Sequence, residues 1–460
     1  MKRLSRTTLA DLPAAVSRPK FDPAKLARGI VHLGCGAFHR AHQAWYTQRA
    51  IEAAGGDWGI TGASLRGLDV PAQLNPQNGL YGVLVLDDTA RRVEIMGVIG
   101  EVLHAPSDPA ALIARIGDKA TRIVSSTVTE KGYCHIPATG DLDVRHPDIV
   151  ADLANPDKPR SVIGILVAGL ARARDAGHAP PTVLCCDNLP SNGSVVAKLA
   201  AQYAGLRDAK LRDWIECHVA FPCTMIDRIV PATTDDDRKA AAAITGVDDQ
   251  GLVVAEPFAQ WVIEDKFGGP RPAWDKAGAQ IVPDVAPYER AKLRLLNGAH
   301  SALAYRGLAK GHTTVAEAIA DPELLAATRA IMKEAAATLA PVPGLDLDAY
   351  ADALCARFAN RGIRHRLIQI AMDGSQKLPQ RLLGTISETL AAGRDAPEAI
   401  KAVAAWIGHV RREGAKLQDP LAAKLISLRG LDDFLACEAV FGTELPKNPR
   451  FTTPLRALAQ

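Results

Sequence analysis

At 460 residues the chain is too long for one ordinary core and suits two domains. Hydrophobic residues make up 48% and charged residues 23%, which predicts a folded globular protein rather than a disordered one. The net charge of +3 is the small difference between 54 basic and 51 acidic residues spread along the chain, so no basic surface for nucleic acid is predicted. No stretch reaches the roughly 18 uninterrupted apolar residues of a membrane span, and residues 1–20 lack the apolar run of a secretory signal. The eight cysteines form no CxxC pair and read as reduced thiols, which makes the cytoplasm the expected compartment.

In chain order, residues 29–34 (GIVHLG) are predicted as a strand and 37–54 as a helix, stopped by Gly55-Gly56. Further strands are predicted at 58–65, 121–128, 181–186 and 218–223. Apolar runs of this kind, spaced by amphipathic segments, predict parallel βαβ units: an α/β protein with a Rossmann-like, doubly wound parallel sheet. From about residue 287 the pattern turns Ala-, Leu- and Arg-rich and helical, punctuated by prolines at 341–344 and 446–449. The boundary is placed near 286, giving a nucleotide-binding domain over 1–286 and a mainly α-helical substrate and catalytic domain over 287–460.

Gly34-Cys35-Gly36 falls where the first strand meets the first helix. A dinucleotide fold needs glycine there, for a tight turn and for close approach of backbone N–H groups to a pyrophosphate. His39 stands where the third glycine of the usual pattern belongs, and a lone GxG also fits an ordinary βα turn. His39 and His42 have a spacing compatible with a metal pair, but no nearby Asp, Glu or Cys completes a set. The expectation is two hydrogen-bonded histidines and no catalytic metal. After the second predicted strand comes Ser64-Leu65-Arg66-Gly67-Leu68-Asp69. An acidic residue here holds the adenosine ribose hydroxyls and favours NAD, whereas an arginine accepts a 2′-phosphate and favours NADP. Asp69 tilts the reading to NAD, and Arg66 leaves NADP open.

Three groups suited to proton transfer recur further on. In an α-helix of about 100° per residue, Asn297 lies about 140° and His300 about 80° from Lys292, so all three share one sector. A lysine partly buried there loses solvation and becomes a base near neutral pH. An amphipathic helix with solvated Lys and Arg accounts for the same spacing. Asp187-Asn188 follows the predicted strand 181–186, where open α/β sheets place ligands, although an Asx turn and a helix starting near Ser191 or Asn192 explain it equally well. Asp227 and Arg228 follow another predicted strand.

Together these segments resemble the polyol-specific long-chain dehydrogenases, the family of mannitol 2-dehydrogenase, arabinitol dehydrogenase and fructuronate reductase. The stretches that carry the resemblance are IVHLGCGAFHRAHQ (30–43), TVTEKGY (127–133), CDNLPSNG (186–193), FPCTMIDRIVP (221–231), EPFAQWVIED (256–265), KLRLLNGAHS (292–301) and MDGSQKLPQR (372–381). The pattern GxGxFHRAH explains the altered glycine motif and brings Phe38 and Arg40 into the expected cofactor-binding set with Gly34, Gly36 and Asp69. The resemblance implies an NAD(P)-dependent, metal-independent oxidoreductase acting on a secondary alcohol of a linear sugar derivative, with its site in the cleft between two domains. It implies Lys292 as general base, Asn188 and Asn297 as the pair polarising the reacting oxygen, and His300 as a ligand of a substrate hydroxyl. Asp227 and Lys377 look like further substrate contacts, and Glu130 and Glu289 like acids that manage the released proton.

TVTEKGY with MDGSQKLPQR looks closest to the branch of fructuronate reductases (D-mannonate oxidoreductases). A hexonate carries a carboxylate, which calls for a cation such as Arg364, Arg366, Lys377 or Arg381. Mannitol/fructose or another hexitol or pentitol is the alternative. A zinc-dependent alcohol dehydrogenase would need Cys and His ligands that do not cluster here. A non-catalytic protein that kept the fold would have lost the set Lys292, Asn188, Asn297 and His300, which is intact. Oligomeric state is not written in these residues.

Overall fold

The computed structural model describes residues 1–136 and 139–458. The chain divides into two compact units, Met1–Val285 and Ala286–Gln460.

Five strands of the first unit form one parallel sheet: β1 (Arg28–Leu33), β2 (Gly59–Ser64), β3 (Ile99–His104), β4 (Ile123–Ser126) and β5 (Thr182–Cys185). Their order is β3-β2-β1-β4-β5, so the winding reverses between β1 and β4. Ligands of open α/β sheets bind outside the strand carboxyl ends at such a switch point. The register there pairs Leu33 with Ala63 on one side and with Ser126 on the other. Most of these strand residues are buried, as expected of a sheet covered on both faces.

Two small sheets flank this frame. One joins the hairpin of Tyr81–Leu86 and Arg91–Met96 to Val253–Ala255, and the other joins Thr224–Asp227, Gln260–Glu264 and Gln280–Val282. The strand expected at 218–223 is not formed. The helix Ala209–His218 runs through its first residue, Pro222 has no N–H to give a ladder, and pairing begins only at Thr224, antiparallel to Gln260–Glu264. The helix expected over 37–54 is two: α1 (Ala37–Ala41) and α2 (Gln43–Ala54), separated at His42, whose backbone leaves the helical region (φ −123°, ψ −84°).

The second unit is built of helices. Ala299–Ala309 runs against Leu367–Ala371 and Pro397–Glu413 over a core that includes Leu295, Tyr305, Phe358, Trp406, Phe434 and Phe451. Two segments wind more widely than an α-helix: Lys292–Gly298 and Pro379–Leu383 are both π-helical. Gly298 is where they meet. A Cβ there would stand 2.7 Å from the carbonyl oxygen of Arg381, so no larger residue fits this approach. Among the described residues no helix is long and apolar enough to cross a membrane, and all eight cysteines are free thiols.

Candidate active site

In the first unit the turn after β1 is held from both sides. Gly34 and Cys35 donate their N–H groups to the carbonyl of Ala63 at 3.0 Å. Gly34 has φ +89°, and a Cβ on it would sit 2.2 Å from the carbonyl oxygen of Thr127 on the neighbouring loop. The two glycines therefore serve different ends. Gly34 is required by the chain itself, whereas a Cβ on Gly36 would meet nothing nearer than 3.8 Å. The space that side chain would fill lies at the start of α1, where a dinucleotide phosphate approaches backbone, so this turn fits such a cofactor.

Arg40 does not face that space. It is buried; its Nη1 donates to the carbonyl of Gly251 at 2.5 Å, its Nε to that of Gly36 at 3.2 Å, and its guanidinium lies 5.8 Å from the centre of the Tyr81 ring. It ties the glycine turn to the backbone at Gly251. Phe38 is half-buried and stacks on His42 with ring centres 5.1 Å apart. Asp69 is exposed in the first turn of the helix Asp69–Leu74, just beyond the carboxyl end of β2.

The two histidines of the motif are held differently and are not a matched hydrogen-bonded pair. His42 Nε2 meets the carbonyl of Gln260 at 2.8 Å and its Nδ1 meets Gln43 at 3.1 Å. His39 instead lies flat on His32, with ring centres 3.4 Å apart, and neither of its nitrogens meets the hydrogen-bond geometry with any described residue. Burial holds His39 well below the usual imidazole range and lowers His32 to about 3. Among the described residues, one trio of metal-capable side chains comes together elsewhere. Ligand atoms of Cys134, His146 and Asp148 lie within 4.8 Å of one another, although His146 Nδ1 already accepts the Asp148 N–H at 3.2 Å and caps a helix.

Glu130 and Asn188 are both exposed, on loops that leave the neighbouring strands β4 and β5. The helix after Asn188 is Asn192–Arg207, yet its first residue is not an ordinary cap. The Asn192 amide donates to the carbonyls of Asp187 (3.0 Å) and Thr224 (2.9 Å) and accepts the Thr224 N–H (2.9 Å), lacing the Asn188 loop to the strand that ends in buried Asp227. Sequence reasoning noticed the polar run but could not see this tie.

The second unit carries Glu289, Lys292, Asn297, His300 and Lys377. Lys292 is 8% exposed, which excludes the solvated-face explanation for it. Arg294 is 6% exposed and forms a two-pronged pair with Glu388 (2.5 and 2.8 Å), which holds that carboxyl below its ordinary range. The α-helical angle assumed for Asn297 is corrected by the winding. With i→i+5 bonding through Lys292–Gly298, residue 297 turns toward the side of residue 292 instead of standing about 140° away. Wide turns of this sort cluster at functional sites.

His300 is buried, stacked on Phe358 at 4.9 Å and edge-on to His365 at 5.0 Å, and its Nε2 has no hydrogen-bond partner among the described residues. Burial keeps it well below the usual imidazole range, and the neighbouring His365, Arg381, Arg357 and Lys377 act in the same direction. Arg381 donates to Ser301 Oγ at 3.1 Å, and Lys377 Nζ donates to the carbonyl of Met372 at 2.6 Å. Arg364 is exposed. Arg357 and His365 were not singled out in the sequence. They lie 57 and 65 positions beyond His300 with no shared motif, so only folding reveals them.

Two family models match the chain: the mannitol dehydrogenase Rossmann domain over residues 28–276 and the mannitol dehydrogenase C-terminal domain over residues 284–458. The chain is 44% identical to an uncharacterized oxidoreductase, YeiQ, of Escherichia coli K12 (96% of this chain, 93% of that one). It is 42% identical to the D-mannonate oxidoreductase of the same organism (99% and 97%). Among solved structures it is similar to Pseudomonas fluorescens mannitol 2-dehydrogenase in ternary complex with NAD and D-mannitol, with a TM-score of 0.90 and 40% identity over 99% of this chain and 96% of that one.

Proposed function

Since the chain belongs to the mannitol dehydrogenase family of oxidoreductases acting on CH–OH groups, we propose that it interconverts D-mannonate and D-fructuronate with NAD. The observation that carries this reading is the set of cations acting on His300. Arg381 donates to Ser301 beside it, Arg357, Arg381 and Lys377 all lower its proton affinity, and a carboxylate brought among these cations is favoured by the same field. The 42% identity to a D-mannonate oxidoreductase supports the same substrate. Mannitol/fructose is the second reading, favoured by the likeness to the mannitol complex.

In oxidation, NAD held at the Gly34–Gly36 turn would supply the hydride acceptor. Lys292, deprotonated, takes the proton of the carbinol oxygen, and the amides of Asn188 and Asn297 donate hydrogen bonds to that oxygen as charge develops on it. His300, neutral because of its burial, meets a substrate hydroxyl through Nε2. Asp227 and Lys377 contact the remaining hydroxyls, and Arg364 stands as an outer cation for the acid group. Glu130 and Glu289 pass on the proton that Lys292 acquires. Gly34, Gly36 and Phe38 shape the turn for the dinucleotide, and Asp69 accepts the ribose hydroxyls. No step assigned here needs a metal.

A panel of hexonates, hexitols and pentitols assayed with NAD and NADP tests the reading. D-Mannonate with NAD is expected to show the highest kcat/KM. A tenfold preference for mannitol over mannonate would overturn the substrate and leave the family assignment intact.

A further inference from the structure

The loop that carries Glu130 has an unfavourable backbone. Thr129 (φ +70°) and Cys134 (φ +51°) both stand in left-handed conformations, and the turn Glu130–Tyr133 lies between them. Residues with a Cβ hold such conformations only where their surroundings enforce them. Here the surroundings are largely one side chain from the neighbouring strand end. Asp187 accepts the Val128 N–H on both carboxylate oxygens (3.0 Å each), the Thr129 N–H on Oδ1 (2.9 Å) and the Tyr133 phenol on Oδ2 (2.6 Å). The Tyr133 oxygen also meets Ser126 Oγ (2.7 Å) and Cys185 Sγ (3.1 Å), at the ends of β4 and β5. Burial lifts the Tyr133 phenol well above its ordinary range, so it stays protonated and remains a donor. The backbone of Asp187 is fastened as well, since its carbonyl accepts the Asn192 amide.

We infer that Asp187 is a positioning residue for the reaction: it fixes the loop bearing Glu130 against the loop bearing Asn188, with Tyr133 as its anchor. This rests on the roles proposed above for Glu130 and Asn188. The carboxylate suits the task because it only accepts, and every group facing it donates. An asparagine of the same shape would point N–H groups at N–H groups.

The test is a cycle of Asp187→Asn, Glu130→Gln and the double variant in the full-length enzyme. Each is measured for kcat and KM of alcohol oxidation across pH, for cofactor affinity by fluorescence titration and for melting temperature. Asp187→Asn is expected to lower kcat about 10²-fold, the scale of a misplacement of about 1 Å, with cofactor affinity unchanged. Because it acts through the Glu130 loop, it should add little in the Glu130→Gln background, and its pH profile should approach that of Glu130→Gln. If Asp187→Asn does not fold, Tyr133→Phe, which keeps the ring and removes one donor, carries the same test with a smaller loss. A slow Glu130→Gln beside an Asp187→Asn at the wild-type kcat overturns the inference alone, and so do losses that simply multiply in the double variant. Glu130→Gln at the wild-type kcat removes the role of Glu130 and this inference with it.

Discussion

In the first unit the candidate groups stand at the ends of strands and are held by hydrogen bonds from behind: Ala63 takes the amides of the glycine turn, Asp187 those of the Glu130 loop, and Asn192 ties the next strand to the Asn188 loop. In the second unit Lys292, Asn297 and His300 come from one continuous helical stretch. Their placement is decided by how widely it winds and by what packs on Gly298. The first arrangement is distributed, so the loss of one bond leaves others in place. The second depends on a single winding, so a change anywhere along it reaches every group beyond.

The sharpest break of this contrast is Lys292→Ala. Alcohol oxidation should fall about 10²–10⁴-fold, the usual span for a positioned acid–base group, while cofactor affinity stays constant. Wild-type oxidation should rise with pH, because only the neutral lysine accepts a proton, and carbonyl reduction should favour lower pH. A variant with the wild-type rate and profile would make Lys292 a packing residue.

Acid should weaken both units, the second through buried His300 and the first through two histidines whose effect can be followed separately. His32 and His39 are buried neutral with depressed proton affinity, whereas the unfolded chain takes up protons below about 6.5. Their stabilisation is complete above that value and is lost as pH falls toward about 3, the value for His32. Going from pH 6.5 to 5 should cost about 2 kcal/mol for His32 alone. Asp249 opposes this: burial raises it to about 6, so it favours the fold as pH drops from there toward 3.8. Five of the six tryptophans (45, 58, 214, 261 and 274) lie in the first unit, so denaturation followed by their fluorescence reads this unit. An unfolding midpoint that stays flat between pH 7 and 5 would contradict the buried-histidine account.

A pair of alanines compares the units directly. Gly298→Ala drives a methyl to within 2.7 Å of a carbonyl and should cost about 1–3 kcal/mol of stability. Gly36→Ala meets no protein atom closer than 3.8 Å and should leave the melting temperature alone while weakening the dinucleotide. The reverse pattern would move the cofactor away from this turn. A smaller effect is expected of Asp69→Ala, which should weaken NAD several-fold more than NADP, because only NAD leaves that ribose hydroxyl free. Equal losses for both cofactors would end that assignment. The smallest effect is none: exhaustive chelation should leave the rate unchanged, and activity lost to a chelator and restored by zinc would replace the lysine mechanism.

The parallel sheet was legible because buried strands show as short apolar runs, and four of its five strands were read within a few residues. Ile99–His104 was passed over, since Gly100, Glu101 and His104 interrupt its run. The hairpin around 87–90 was missed although Asp87-Asp88 lies between two apolar segments, a turn signal that went unused. At 221–227 the pattern was seen but displaced, because Pro222 was counted inside a ladder to which it cannot donate. Motif residues such as Asn188 and Lys292 were readable from their neighbours. The wide winding at Lys292 was not, since helical spacing carries no sign of it and the carbonyl of Arg381 that lies close to Gly298 is 83 positions away. The bond from Arg40 to Gly251 was hidden for a related reason: its partner is distant in sequence.

The wide turn at 292–298 also bears on how this helix tolerates change in length. A π-turn is an α-helix carrying a surplus residue. Deleting one residue between Lys292 and Asn297, for instance Leu293, would let the segment relax to ordinary winding, an alteration that helix propensity alone would favour. The phase would survive: Asn297 would stand four positions from Lys292, about 40° away in an ordinary α-helix, and His300 seven positions, about 20° away, so both would keep its side. A shorter and locally more regular helix would thus still present the three side chains on one face, which separates the count of residues here from their identity.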